Sequence, residues 1–207
     1  MSNRDAFFTF FSGRRGADTS GAAPQADAST EARVDQLRGQ LIAAFGTNRR
    51  GGVDTKAAAK ALGVSQRSVN YWLAGKYKPS EQHQKTVQRR SRQAATTKRG
   101  RQRLAQDARN RLAKLPKGKT PQIFVVGVQG PNNAQADYLR HRVTNIFQNL
   151  TPTDVDDFIK AWEEHGEQGA KDWLTNAYGS RYLEDWGFES IDKISFGDPR
   201  GFDEDEH

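Results

Sequence analysis

Apolar positions along the chain fall into short patches whose spacing changes several times. Between Thr30 and Phe45, the residues Val34, Leu37, Leu41, Ala44 and Phe45 recur every three or four positions. This spacing predicts an amphipathic helix, capped by Thr30 with Glu31 in its first turn and ended by Gly46. Residues 55–74 repeat the helical spacing on both sides of Gly63. From Lys76 to Lys119 the large aliphatic residues thin out to Val87, Leu104, Leu112 and Leu115, so a helix there is polar almost all round. Gln122–Val128 is a short apolar, β-branched run between Pro121 and Gly130-Pro131, the pattern of a buried strand. A second strand is predicted over about Arg140–Phe147, after a turn or short helix at Gln135–Arg140.

Thr151-Pro152-Thr153-Asp154 sets a capping hydroxyl, a first-turn proline and an acid before Val155, Phe158, Ile159 and Trp162, which predicts a helix running to Gly166. Ala170–Tyr178 resumes the helical spacing, and Ser190–Phe196 alternates loosely enough for a last strand. Ser12–Ala28 is rich in Gly, Ala, Ser, Asp and Pro without a periodic stripe, so residues 1–29 read as a disordered tail. Phe7, Phe8, Phe10 and Phe11 near its start form an aromatic anchor or an idle exposed segment.

The fold class expected is mainly α with a small α+β C-terminal domain. The tail precedes a helix-turn-helix domain at 30–80, a basic helical extension at 81–119, an acidic α+β domain at 120–198 and an acidic tail at 199–207.

Composition narrows the chemistry. Only 35% of the residues are apolar, below the ~45–50% of ordinary soluble domains. The absence of Cys excludes disulfides, thiolate zinc sites and cysteine nucleophiles, and the four His form no zinc-protease motif. No apolar run approaches the ~18 residues of a membrane span, and Met1–Phe11 is too short in apolar length for a signal-peptide core. No membrane, metal or cofactor is expected, and the predicted location is cytoplasmic and nucleoid-associated.

Net charge is +7, but its two halves differ in sign. Residues 1–119 carry 25 basic and 8 acidic side chains, and residues 120–207 carry 7 and 17. Such asymmetry points to a nucleic-acid-binding part joined to something else.

Residues 55–74, TKAAAKALGVSQRSVNYWLA, are the most specific feature. Ala59 is small where two helices would cross, Gly63 suits a left-handed turn, and Ser65 can cap the second helix. Leu62, Val64, Val69, Trp72 and Leu73 supply the apolar wedge. The second helix then presents Gln66, Arg67, Ser68, Asn70 and Tyr71. Gln and Asn can pair with adenine and Arg with guanine, while Ser65, Ser68 and Tyr71 can reach phosphates. Lys76 and Lys78 follow on the backbone side, and Arg89, Arg90, Arg92, Lys98 and Arg99 form a phosphate clamp. Asn48-Arg49-Arg50-Gly51-Gly52 reads as a flexible basic loop.

Enzymatic readings do not assemble. Gly118-Lys119-Thr120 imitates the end of a phosphate-binding loop, but Ala113 stands where its first Gly belongs and a strand follows instead of a helix. Asp154, Asp156 and Asp157 complement a helix dipole, Glu163 and Glu164 fall on an exposed face, and His141 and His165 show no partner in sequence. The chain is not expected to be an enzyme.

The 55–72 motif followed by the Arg-rich Gln88–Ala95 resembles the telomere terminal proteins of actinobacteria (Tpg), over roughly residues 31–198. The resemblance implies a protein that binds the telomeric DNA of linear replicons with a telomere-associated protein, and offers a threonine hydroxyl on which a DNA polymerase starts the new strand. Pro121–Asp137 holds no Ser, Thr or Tyr, so the acceptor candidates are Thr120, Tyr138 and Thr144. Another reading of the same residues is a transcriptional or plasmid-replication regulator on double-stranded DNA, a homodimer through its C-terminal domain.

Overall fold

The computed structural model describes residues 3–113, 123–133, 136–145 and 150–196. They are mainly helical, with a small antiparallel sheet towards the C-terminus. The chain divides into two compact units, Gly13–Arg101 and Met1–Ser12 with Gln102–His207. The first unit is thus inserted, in sequence, within the second. It holds 18 basic and 6 acidic side chains, against 14 and 19 in the other.

The inserted unit is built on Thr30–Phe45 (α2), Thr55–Leu62 (α3), Gln66–Leu73 (α4) and Glu81–Thr96 (α5), with α2 packed against the other three. Leu37 and Leu41 of α2 are buried, as their spacing predicts, and Ile42 is buried with them, whereas Val34, Ala44 and Phe45 are half-buried. The cap lies one residue earlier than expected, because the Ser29 hydroxyl accepts from the Ala32 N–H at 3.1 Å. Lys98–Leu112 (α6) follows after a break at Thr97 and straddles the division between units.

Residues 13–28 are not the disordered tail that their composition suggests. The Asp18 N–H bonds Gly39 O at 3.0 Å, and Gln40 Nε2 donates to Ala22 O at 2.8 Å. Thr19 is fully buried. A Cβ on Gly21 would stand 2.5 Å from Gln88 O, so backbone lies directly on α5 there. Gly and Ala give this segment no hydrophobic signal, but their small size permits backbone-to-backbone approach, with hydrogen bonds offsetting the desolvation.

The second unit contains Asn3–Ser12 (α1), the later part of α6, Ile123–Asn133 (β1), Ala136–Asp137 (β2), Arg140–Thr144 (β3), Pro152–Arg181 (α7), Trp186–Phe188 (β4) and Lys193–Phe196 (β5). Every other strand pairs antiparallel with β1. β4 has no counterpart among the predicted elements, and β2 stands in the predicted turn or short helix. The α7 start matches its signature: Thr151 and Asp154 form a capping box, and the Thr151 backbone N–H, with Arg181 beside it, holds the Asp154 carboxyl below its usual range. The predicted stop at Gly166 is a kink, φ 67°, after which helix resumes.

The expected tail is again corrected at α1, where Phe7, Phe8, Phe10 and Phe11 are all buried. Phe11 stacks on Trp162 with ring centroids 4.2 Å apart, and Phe10 meets Phe158 edge-on at 5.5 Å. Asn3 Oδ1 accepts from the Ile191 N–H at 2.8 Å. Arg111 of α6 donates to the carbonyls of Phe10 and Phe11 in the last turn of α1, where a cation complements the helix dipole. Residues 102–113 therefore belong to the core of this unit, with Leu104, Ala105 and Ala108 buried, rather than to a basic extension reaching 119. The substitution Phe11→Ala should lower the unfolding free energy by about 3–5 kcal/mol. Urea denaturation of the full chain, followed by tryptophan fluorescence, would reveal it; an unchanged midpoint would mean that α1 is not docked.

Candidate nucleic-acid interface

The geometry of α3, the turn and α4 is set by three local interactions. Asp54 caps α3 by accepting from the Ala57 N–H at 2.9 Å. Gly63 ends it in the left-handed conformation, φ 69° and ψ 29°, and the Val64 N–H returns to Ala59 O at 3.1 Å. Ser65 then caps α4 by accepting from the Ser68 N–H at 3.0 Å. Ala59, Val69 and Trp72 are buried, with Ala58 beside them, whereas the other residues of the expected wedge, Leu62, Val64 and Leu73, are half-buried.

Burying Val69 and Trp72 turns the other side of α4 outward. Gln66, Arg67 and Asn70 are exposed, Ser68 and Tyr71 half-buried, and Lys76, Tyr77 and Lys78 exposed just beyond. These side chains are partly pre-arranged. Gln66 Nε2 donates to the Thr55 hydroxyl at 2.8 Å, tying the start of α4 to the start of α3. Arg67 Nε donates to the Tyr71 hydroxyl at 2.6 Å, and Lys76 lies over the Tyr71 ring at 5.4 Å. Tyr77 meets Tyr71 edge-on and is 65% exposed. The Ser65 hydroxyl is engaged in the cap and with Ser68 Oγ at 2.9 Å.

On α5, Arg89 and Arg92 are exposed, whereas Arg90 is half-buried with its guanidinium over the Phe45 ring at 5.5 Å. Lys98 and Arg99 are exposed at the start of α6. The predicted flexible loop 48–52 is instead an ordered hairpin. Thr47 and Val53 form an antiparallel bridge, the Asn48 N–H donates to Gly52 O at 2.8 Å, and Asn48 Oδ1 accepts from the Arg50 and Gly52 N–H groups. Asn48 and the Gly51-Gly52 pair are turn residues, and their hydrogen bonding orders the loop that their composition alone marks as flexible.

The three acceptor candidates lie in the other unit or outside the described residues. Thr120 is in the latter group. Thr144 Oγ1 sits 2.8 Å from both Gln129 Oε1 and the Tyr178 hydroxyl, in a cluster where Gln129 is fully buried and burial pushes the Tyr178 phenol well up. Its hydroxyl belongs to the packing of the sheet on α7. Tyr138 is 50% exposed, with the Arg140 guanidinium 5.9 Å from its ring centroid.

The carboxylates of α7 have structural partners. Asp154 is in the capping box, and Arg109 bonds Asp156 at 2.9 Å and Glu163 at 3.1 Å. Arg109, with Lys160, holds the Asp156 carboxyl below its usual range. His141, which has no partner in sequence, stands 3.1 Å from Asp192.

No protein-family model, characterised protein or solved structure matches this chain. The turn offers a direct check on the interface geometry. Gly63→Ala should cost about 1–2 kcal/mol, because a Cβ there meets nothing within 4 Å and the penalty is the left-handed backbone alone. A thermal melt reports it, and Gly63→Asn should recover part of the loss.

Proposed function

We propose that this protein binds duplex DNA through a helix-turn-helix formed by α3 and α4, and acts at the telomeric ends of linear replicons as a terminal-protein-like factor. The observation that carries the reading is the outward row Gln66, Arg67 and Asn70 on a helix whose inward side, Val69 and Trp72, is locked by the Gly63 turn and the Ser65 cap. A helix of about 10–12 Å diameter fits the major groove, where Arg and amide side chains distinguish base edges. Lys76, Lys78, Arg89, Arg92, Lys98 and Arg99 add phosphate contacts, each steepening the salt dependence of binding by about 0.9 in log–log slope. The excess of cations in the inserted unit supports the same reading.

In this proposal the protein is a substrate of a separate DNA polymerase rather than an enzyme. A hydroxyl oxygen attacks the α-phosphorus of the first deoxynucleotide, its proton passes to solvent or a polymerase base, and pyrophosphate leaves. Thr120 and Tyr138 are the acceptors that remain, since Thr144 is held in the sheet–α7 cluster. Among the described residues no helix is long and apolar enough to cross a membrane.

Two measurements test these points. Arg67→Ala should relax base preference at one position and weaken specific binding by about 1–3 kcal/mol, read by titration of duplexes varied base by base. Unchanged affinity and preference would remove α4 from the groove. Incubation with a DNA polymerase, a telomere-associated protein, end template and labelled deoxynucleotide should leave a denaturant-resistant label that Thr120→Ala or Tyr138→Phe abolishes and Thr144→Val does not. Two protected half-sites one helical turn apart, without any label, would favour the dimeric regulator instead.

A further inference from the structure

We propose that the hairpin 47–53 is a second DNA-reading element, which inserts Arg49 and Arg50 into the A·T-rich minor groove flanking the site held by α4. The inference rests on the helix-turn-helix reading above and adds a groove, a base composition and two residues to it.

The hairpin is narrow and fixed. Its base is closed by the Asp54 N–H to Gly46 O bond at 3.0 Å and the Thr47–Val53 bridge, and Val53 is buried. Its tip is turned by Asn48, whose side-chain oxygen takes two backbone N–H groups while Nδ2 donates to Val53 O at 3.3 Å. Gly51, at φ 82°, adopts a conformation that a side chain would oppose, and a Cβ there would meet nothing within 4 Å. The tip therefore presents two arginines beside two residues without side chains. Both arginines are exposed, and neither has an ion-pair partner among the described residues.

Position relative to α4 is fixed by a second, independent set of contacts. One residue, Asp54, separates the bridge at Val53 from Thr55, and the Thr55 hydroxyl accepts from Gln66 at the start of α4. The hairpin and the leading end of α4 thus share one anchor. With α4 in a major groove, the surface beside its leading end lies against the neighbouring backbone and the groove beyond it. That groove is about 6 Å wide, too narrow for a helix but open to a slim turn carrying extended guanidinium groups. Narrow A·T-rich segments concentrate negative potential and attract arginine, so the pair selects sequence by groove shape. The chemistry of recognition is a duplex minor groove rather than an isolated phosphate, because two adjacent cations on a rigid tip match a lined channel better than a single charge.

The test is selection of duplexes from a randomised library by the full chain and by the Arg49→Ala/Arg50→Ala double variant, with binding of the selected duplexes measured in the presence and absence of netropsin. The wild type should enrich a core motif with an A·T flank on one side, and prefer A·T over G·C in that flank by about tenfold. Netropsin should erase that preference. The double variant should keep the core motif and its thermal midpoint while losing the flank preference and the netropsin effect. Arg49→Lys/Arg50→Lys should fail to restore the preference, since lysine supplies the charge without the weakly hydrated, planar group. A flank preference retained by the alanine variant, or restored in full by lysine, would overturn the minor-groove assignment while leaving the helix-turn-helix reading intact. A wild type that enriches no motif would overturn both.

Discussion

The stack of Phe11 on Trp162, with Arg111 gripping the end of α1, is the constraint on which the unit formed by Met1–Ser12 and Gln102–His207 depends. It joins Asn3–Ser12 to residues of α6 and α7 that stand a hundred or more positions later. Without it, α1 would expose four phenylalanines and the underside of α7 would lose its aromatic cover. Each buried aromatic contributes roughly 1.5–3 kcal/mol, so the cluster is comparable to the whole net stability of an ordinary domain before chain entropy is set against it. Arg111 matters in a different way. Burial works against its charge, and the two helix-end carbonyls compensate by accepting hydrogen bonds.

The inserted unit obeys a separate logic, in which packing is modest and orientation is what counts. α4 is only eight residues long and could not persist alone in water. Its cap, its buried Val69 and Trp72, and its tie to Thr55 through Gln66 fix which side chains face outward. For the DNA binding proposed for α4, such pre-arrangement lowers the side-chain entropy lost on binding, because Arg67 already rests on Tyr71.

Local grammar was the most legible part of the chain. Gly63, Ser65 and the Thr151–Asp154 box mark helix ends whose hydrogen bonds reach no further than five residues, so sequence alone specifies them. The outward row of α4 follows from the same spacing. Three features were not legible. The docking of α1 depends on Trp162 and Phe158, partners remote in sequence, and no local pattern distinguishes a docked aromatic cluster from an exposed one. Residues 13–28 pack through backbone, for which hydropathy has no symbol. β4 is three residues long and acquires its identity only by pairing with β1. The charge asymmetry was visible, but the units divide between Arg101 and Gln102 rather than between 119 and 120, because the neutral faces of α6, not its arginines, decide to which unit its later part belongs.

The insertion of Gly13–Arg101 between Ser12 and Gln102 makes the seating of α1 on α7 the closure of a loop. Drawing the ends of a loop together carries an entropic penalty that grows only as the logarithm of its length, so each doubling adds about 0.6 kcal/mol. A cluster as large as the buried phenylalanines of α1 outweighs such a term, and a surface insertion between Ser12 and Gln102 would lengthen the loop at little cost to the seated helix.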